Sequence, residues 1–364
     1  LCSEKNRINA NIILAGDPKQ LDAVCKSNNA AGLGLKTSLM ERLYNLPAYG
    51  NGQVHQPQSG TMNNNSDCIT QLIKNYRSHK AILHVANALF YKSTLISCGS
   101  DERVNWFVGS KILMNPDVPI IFKSVNGVCK QNENSASRFN MVEANAVLEQ
   151  IDELLKFKSN QRKVKSVKCT DIGIVSPYKL QCREIRKMCN KKKYDGITIG
   201  TAEVFQGMEK AIMLVSTVCT DGDLGFVNAA QRINVVLTRA QSLLIIFGDP
   251  KTLIKDPNWE YLLQFCELNE TFKHIEGKPF QFPKPVVQES VVYDFKYNML
   301  QHFAGLMASN GDGIKQHQIP SDPTESYTLD RIGETGRNSV TLSKATTGDY
   351  RRPSAFMFTY CQLF

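Results

Sequence analysis

Residues 171–175 read Asp-Ile-Gly-Ile-Val, residues 197–200 Ile-Thr-Ile-Gly, residues 211–217 Ala-Ile-Met-Leu-Val-Ser-Thr and residues 243–247 Leu-Leu-Ile-Ile-Phe. Each is a short aliphatic, largely β-branched run, the length of a strand buried on both faces rather than of a helix. Amphipathic segments of helical period separate them at 179–189 and 229–237, and another follows at 259–267. Buried strands alternating with such helices predict an α/β domain on a mostly parallel sheet. Sheets of this kind carry ligands at the carboxyl ends of their strands.

Upstream, 142–155 reads as a helix, 119–124 as a strand, and 68–91 as a strand or helix start followed by a helix from 80 to 91. The run 11–15 reads as a buried strand stopped by Gly16-Asp17-Pro18, and 36–44 as a helix. Between 45 and 66 the residues Pro47, Gly50, Gly52, Pro57, Gly60 and Asn63–Asn65 mark a linker or exposed insertion. From about 277 onward Pro, Ser, Thr, Gly and Gln prevail without a sustained period, the composition of a disordered or divergent tail.

The 364 residues, 42% of them hydrophobic, suit about two globular domains and exclude a fibrous or wholly disordered chain. No apolar run approaches the roughly 18 residues of a membrane-spanning helix, and no signal-peptide pattern opens the chain. It begins Leu1-Cys2-Ser3, which reads as a fragment or truncated gene product. Eleven cysteines lack any CxxC pair and suit reduced thiols in an intracellular protein. Six histidines do not cluster; His79 and His84 lack a third ligand, so no metal site is expected. The net charge is +9, and residues 156–193 hold thirteen Lys or Arg against two acids, Asp171 and Glu184. Such a stretch is either a phosphate-tracking surface or a solvated helix face.

Gly32-Leu33-Gly34-Leu35-Lys36-Thr37-Ser38 imitates a phosphate loop, but Leu35 stands where glycine must precede the lysine. Other segments suit nucleotide chemistry better. Gly16-Asp17-Pro18-Lys19-Gln20-Leu21 puts Asp17 and Gln20 at a strand's carboxyl end. There an amide can donate to a phosphate oxygen and accept from a water. In Asn75-Tyr76-Arg77-Ser78-His79 the arginine can pair phosphate oxygens while the tyrosine stacks on a base. In 201–210, Gly207 permits a tight turn, Gln206 offers a donor and an acceptor, and Glu209 can accept from a sugar hydroxyl. Arg239 ends an apolar helix, where a merely solvated arginine is less expected. Taken singly, each has a plainer reading as a capped turn or a surface charge.

In this order, GDPKQL (16–21), NYRSH (75–79), SPYKLQ (176–181), TAEVFQGMEK (201–210) and NVVLTRAQ (234–241) resemble motifs III to VI of superfamily 1 helicases. The likeness is to the Upf-one-like branch, and within it to the Mov-ten and Armitage group of RNA helicases, over about residues 8–276. It implies a RecA-like P-loop NTPase fold: the end of a first RecA-like domain in 1–55, a linker at 56–66, a complete second domain in 67–276 and the unexplained tail 277–364. The phosphate-loop lysine and the acidic Mg2+ motif are then expected upstream of Leu1. By position, Gln20 is expected at the terminal phosphate or attacking water, with Asp17 organising its loop. Tyr76 is expected near adenine, Arg77 and Arg239 as the two arginine fingers, and Gly207 and Glu209 at the nucleotide. Ser176, Pro177, Tyr178, Thr201 and Gln206 are expected in RNA-facing loops.

The resemblance further implies an ATP-dependent, Mg2+-requiring RNA helicase moving 5′ to 3′ in post-transcriptional silencing or mRNA turnover. It would be cytoplasmic, in ribonucleoprotein granules with silencing-complex proteins, and inactive as this segment alone. Two alternatives stay open: a DNA helicase of the same branch, and an inactive RNA- or partner-binding module. The sequence departs from the family's pattern at Lys80, Met208 and Gln241.

Overall fold

A computed structural model of the chain describes residues 12–23, 25, 27–46, 69–131, 137–157, 166–220, 222–276, 278–283 and 356–360. The strand β1 (Ile12–Gly16) runs into the Asp17–Gln20 turn, closed by Gln20 N donating to Asp17 O at 3.1 Å. Two short helices follow, α1 (Asn28–Gly32) and α2 (Leu39–Tyr44). Ser27 Oγ accepts from Ala30 N at 3.3 Å and Ser38 Oγ from Glu41 N at 3.1 Å, each satisfying a helix-start donor. The stretch that imitates a phosphate loop is thus a turn between two capped helices.

Next come β2 (Ile69–Gln71), β3 (Lys74–Asn75), α3 (Lys80–Phe90), β4 (Ile96–Ser97) and α4 (Asp101–Val104). They are followed by β5 (Ile120–Ser124), the small hairpin β6 (Lys130–Gln131) and β7 (Arg138–Phe139), and α5 (Met141–Lys156). The α/β alternation then runs β8 (Ile172–Val175), α6 (Lys179–Lys191), β9 (Thr198–Gly200), β10 (Lys210–Ser216), α7 (Ala230–Leu237) and β11 (Ala240–Gly248). It closes with α8 (Pro250–Leu253), α9 (Pro257–Leu268) and β12 (Phe272–Lys273).

Six of these strands make one all-parallel sheet in the order β12–β5–β11–β10–β8–β9. Helices α5 and α6 cover one face, where Val147, Ile151, Leu154, Cys182 and Ile185 pack on Ile172, Ile174, Ile212, Leu214, Leu243 and Ile245. Helices α3 and α9 pack against the sheet at β11 and β5, and α7 packs on α3. Met213, Val215, Leu244 and Ile246, the alternate residues of β10 and β11, are equally buried. Burial on both faces is why these strands read as unbroken apolar runs, each aliphatic side chain contributing about 1.5–3 kcal/mol. This is the expected RecA-like α/β architecture.

A last strand, β13 (Phe356–Tyr360), pairs in parallel with both β1 and β2. It lies inside the stretch 277–364 that composition assigns to a structureless tail. That tail also begins packed, with Phe280 stacked on Phe272 and Phe282 meeting it edge-on. The rest of it, and the linker 56–66, lie outside the described residues. All the described residues belong to one compact unit.

Candidate functional site

β10 and β11 start side by side, with Lys210 opposite Ala240. Glu209 and Arg239, the residues just before them, therefore meet at the amino ends of the two strands. These two candidate residues thus lie at the amino ends of their strands, not the carboxyl ends. The NYRSH turn is tied to the same place. Asn75 Oδ1 accepts from Arg77 N at 3.1 Å and from Ser78 N at 2.9 Å, shaping the turn. Ser78 Oγ donates to Ala240 O at 2.7 Å, and His79 N to Gln241 O at 2.8 Å. Arg77 is thereby held against Glu209: its Nε donates to Oε2 at 2.7 Å, and another guanidinium nitrogen donates to Thr238 O at 3.0 Å.

Arg239 is 0% exposed. Its Nε donates to Val235 O at 3.0 Å, one terminal nitrogen to Met208 O at 3.4 Å, and the other to Gln20 Oε1. Burial, with the like charge of Arg77 beside it, pulls its pKa down to about 10. It stays cationic at neutral pH, and an anion placed between the two guanidinium groups would relieve their repulsion.

Gln20 is fixed at both ends of its amide, because Nε2 also donates to Asp17 Oδ2 at 2.8 Å. Asp17 in turn accepts from Lys19 N at 2.9 Å and from the Tyr91 hydroxyl at 2.6 Å. Asn234 Nδ2 closes the circuit, donating to Tyr91 Oη at 2.7 Å and to Lys19 O at 2.9 Å. Burial and the Asp17 charge push the Tyr91 phenol far above its ordinary value. Tyr76, next to Arg77 in sequence, is 59% exposed, so a ring face is open to a ligand.

The structure brings Asp17, Gln20, Arg77, Glu209 and Arg239 together, with Tyr76 next to Arg77 in the chain, and places Ser176, Pro177, Tyr178 and Thr201 elsewhere. Ser176 and Tyr178 follow β8 and Thr201 follows β9, at the carboxyl edge of the sheet. All three are buried, Tyr178 to 2% exposure. Its hydroxyl lies 3.1 Å from Cys219 Sγ and accepts from Phe226 N at 3.2 Å. The Ser176 and Tyr178 side chains are packed into this edge. Pro177 is half-buried, and Gln206 and Gly207 are exposed. Gly207 has φ +77, as its tight turn requires. The stretch 201–210 thus runs from the carboxyl edge to the amino edge and connects the two regions.

Among the described residues no group of three His, Cys, Asp or Glu side chains converges as a metal site. His79 caps α3, its Nδ1 accepting from Ala81 N at 3.1 Å, and His84 Nε2 lies 3.2 Å from Tyr261 Oη. Burial lowers both to about 4, aided at His79 by Lys80. They are neutral structural histidines.

Residues 35–251 match the family model described as an AAA domain. The chain is 36% identical to the "RNA helicase Mov10l1" of Homo sapiens and 35% to that of Mus musculus, each over 75% of its length. It is 31% identical over 72% of its length to the "Probable RNA helicase armi" of Drosophila melanogaster. The chain belongs to the superfamily 1 helicases of the Mov-ten and Armitage group. It spans 22–23% of the length of these three relatives.

This helicase segment departs from the family's pattern at Gln241, yet the amide still serves the site, donating to Glu209 Oε1 at 2.6 Å. Sequence reasoning missed three residues. Tyr91 reads as the apolar end of a helix, and Asn234 stood in a matched motif without a role. Glu143, fully buried at the start of α5, accepts from the Ser216 hydroxyl at 2.6 Å and from Val218 N at 2.9 and 3.0 Å. A carboxylate two residues into an amphipathic helix gives no warning of this. Burial pushes its pKa up to about 8.

Proposed function

We propose that the amino-end cluster binds the phosphates of ATP in an RNA helicase, and that the carboxyl-edge loops carry the RNA. The observation supporting this is the junction in which Gln20, Arg239, Arg77 and Glu209 meet, although they come from four separate matched motifs. In this reading residues 1–55 end the first RecA-like domain and 67–276 form the second, so Gln20 and Arg239 meet across the two. Arg239 and Arg77 supply fixed positive charge to a phosphoryl group as negative charge develops on it. Their present acceptors, Gln20 Oε1 and Glu209 Oε2, hold them poised and are exchanged for phosphate oxygens. Gln20 orients the attacking water, Tyr76 offers its open ring to adenine, and Glu209 accepts from the ribose. Asp17 is already committed to three donors, and the described residues make no Mg2+ site, so no step is assigned to the metal through them.

The stretch 201–210 couples the two edges: Gln206 and Pro177 sit where RNA would pass, and Glu209 sits at the nucleotide. Contacts to the backbone of the strand would dominate, with weak sequence preference and 5′-to-3′ movement by family analogy. The names of the relatives favour RNA over DNA, and roles in silencing or mRNA turnover with ribonucleoprotein partners in the cytoplasm follow the same analogy. The 364 residues contain no G-x-x-x-x-G-K-[ST], so alone they are expected to turn over no ATP. In the complete protein, Arg239→Ala or Arg77→Ala is expected to lower ATP turnover by roughly 10³-fold or more. A near-normal rate in either variant refutes that residue's role. Unwinding of DNA duplexes but not RNA duplexes refutes the choice of substrate.

A further inference from the structure

The loop after β10 turns one aromatic side chain outward, and it does so on a fastened backbone. Phe226 keeps 48% of its surface exposed. Around it, Asp223 accepts from Gly225 N at 2.9 Å and from an Arg138 guanidinium nitrogen at 2.6 Å. Leu224 O accepts from Cys219 Sγ at 3.2 Å, and Val227 O from Trp259 Nε1 at 2.9 Å. Phe226 N itself donates to Tyr178 Oη at 3.2 Å. Gly225 makes this approach possible: its φ is +50, and a Cβ there would lie 2.2 Å from the Tyr178 hydroxyl oxygen.

A single exposed apolar side chain is ordinary; the surroundings of this one are not. One side of the ring rests on Tyr178, centroids 5.7 Å apart. The Arg232 guanidinium carbon lies 5.6 Å from the ring centroid, fixed by Glu203, and Arg138 lies 6.0 Å from the Tyr178 centroid. The acids nearby, Asp223 and Glu203, are each paired with one of these arginines. Loops following three neighbouring strands of the sheet (Tyr178 after β8, Glu203 after β9 and Phe226 after β10) therefore meet around one half-open ring, with Arg232 against it and Arg138 against the Tyr178 ring it rests on. They meet at the carboxyl edge, where parallel sheets present ligand sites.

We propose that Phe226 is a stacking platform for one base of single-stranded RNA, with Arg138 and Arg232 beside it facing the flanking phosphates. This rests on the RNA helicase reading and adds to it a base contact, which tolerates any sequence because every base has a π-face. The pre-set ring spares the bound state most of the ordering cost of a flexible side chain.

The test is fluorescence anisotropy of labelled oligouridine with the complete protein, free of nucleotide. Phe226→Ala is expected to weaken binding about 5–150-fold, the range of one base–aromatic stack. Phe226→Leu, which keeps apolar volume and the wild-type unfolding temperature but has no π-face, is expected to lose a similar factor. Phe226→Trp is expected to restore binding. The salt dependence should stay as in wild type, because no charge is removed. An oligomer of abasic sugars should bind wild type and Phe226→Ala alike. Wild-type binding of oligouridine by both Phe226→Ala and Phe226→Leu overturns the platform while leaving the helicase reading intact. Failure of the wild-type protein to bind any single-stranded RNA overturns both.

Discussion

Tyr91→Phe removes one oxygen atom from the interior of the candidate site, and the cost can be worked out from its bonds to Asp17 and Asn234. The hydroxyl donates to the Asp17 carboxylate at 2.6 Å, a bond to a charged group worth about 1.5–3 kcal/mol. It also accepts from Asn234 Nδ2 at 2.7 Å, a neutral bond worth about 0.5–1.5 kcal/mol. Asn234 keeps Lys19 O, and Asp17 keeps its bonds from Lys19 N and Gln20 Nε2, so neither partner is left bare. The smaller end of each range therefore applies to the relaxed variant, a total loss of about 2 kcal/mol. For a domain of this size that corresponds to a fall in melting temperature of about 4–8 °C. Urea and thermal unfolding followed by circular dichroism measure it, with Tyr76→Phe as the control. Tyr76 is 59% exposed, so its variant should stay within about 0.5 kcal/mol of wild type. A Tyr91→Phe protein indistinguishable from that control would refute the claim that the hydroxyl clamps the Asp17–Gln20 turn.

Two further outcomes follow from the carboxyl edge. Burial raises Glu143 to about 8, so between the ordinary carboxyl value of 4.5 and about 8 the folded chain holds a proton that the unfolded chain has released. Its contribution to stability is full below 4.5 and is lost as pH rises through about 8. Glu143→Gln should flatten that decline in urea titrations, and curves parallel to wild type across this window count against it. Gly225→Ala meets both a positive φ and the Tyr178 hydroxyl, whereas Gly207→Ala meets a φ of +77 and open space. Gly207→Ala should cost about 1–2 kcal/mol and Gly225→Ala more, and the reverse order in unfolding experiments contradicts the geometry.

The central strands were legible because a strand buried on both faces has no polar side to hide its run. The sequence places strands at 171–175, 211–217 and 243–247, and the fold extends or trims them to Ile172–Val175, Lys210–Ser216 and Ala240–Gly248. Their ends are set by where a partner stops, as Lys210 does opposite Ala240, and no local signal carries that. The two-residue strands β3, β4, β6 and β7 exist only through their partners and left no period to read. β13 pairs with β1 and β2 from a stretch whose composition resembles a tail.

The same division runs through the candidate site. Residue type and order along the chain singled out Gln20, Arg77, Glu209 and Arg239 as candidates for nucleotide chemistry, because amides and guanidinium groups suit phosphate oxygens and a carboxylate suits a sugar hydroxyl. Their convergence at the amino ends of β10 and β11 was decided by tertiary packing: pairing of β10 with β11 sets Glu209 beside Arg239, and side-chain hydrogen bonds bring in Arg77 and, from a separate sheet, Gln20. Only packing turned Ser176 and Tyr178 inward and left Phe226 outward, since which way a loop side chain points depends on what the neighbouring loops already fill. Tyr91 and Asn234 gained roles in the same way: a hydroxyl at a helix end and an amide inside a helix mean nothing until Asp17 is folded against them.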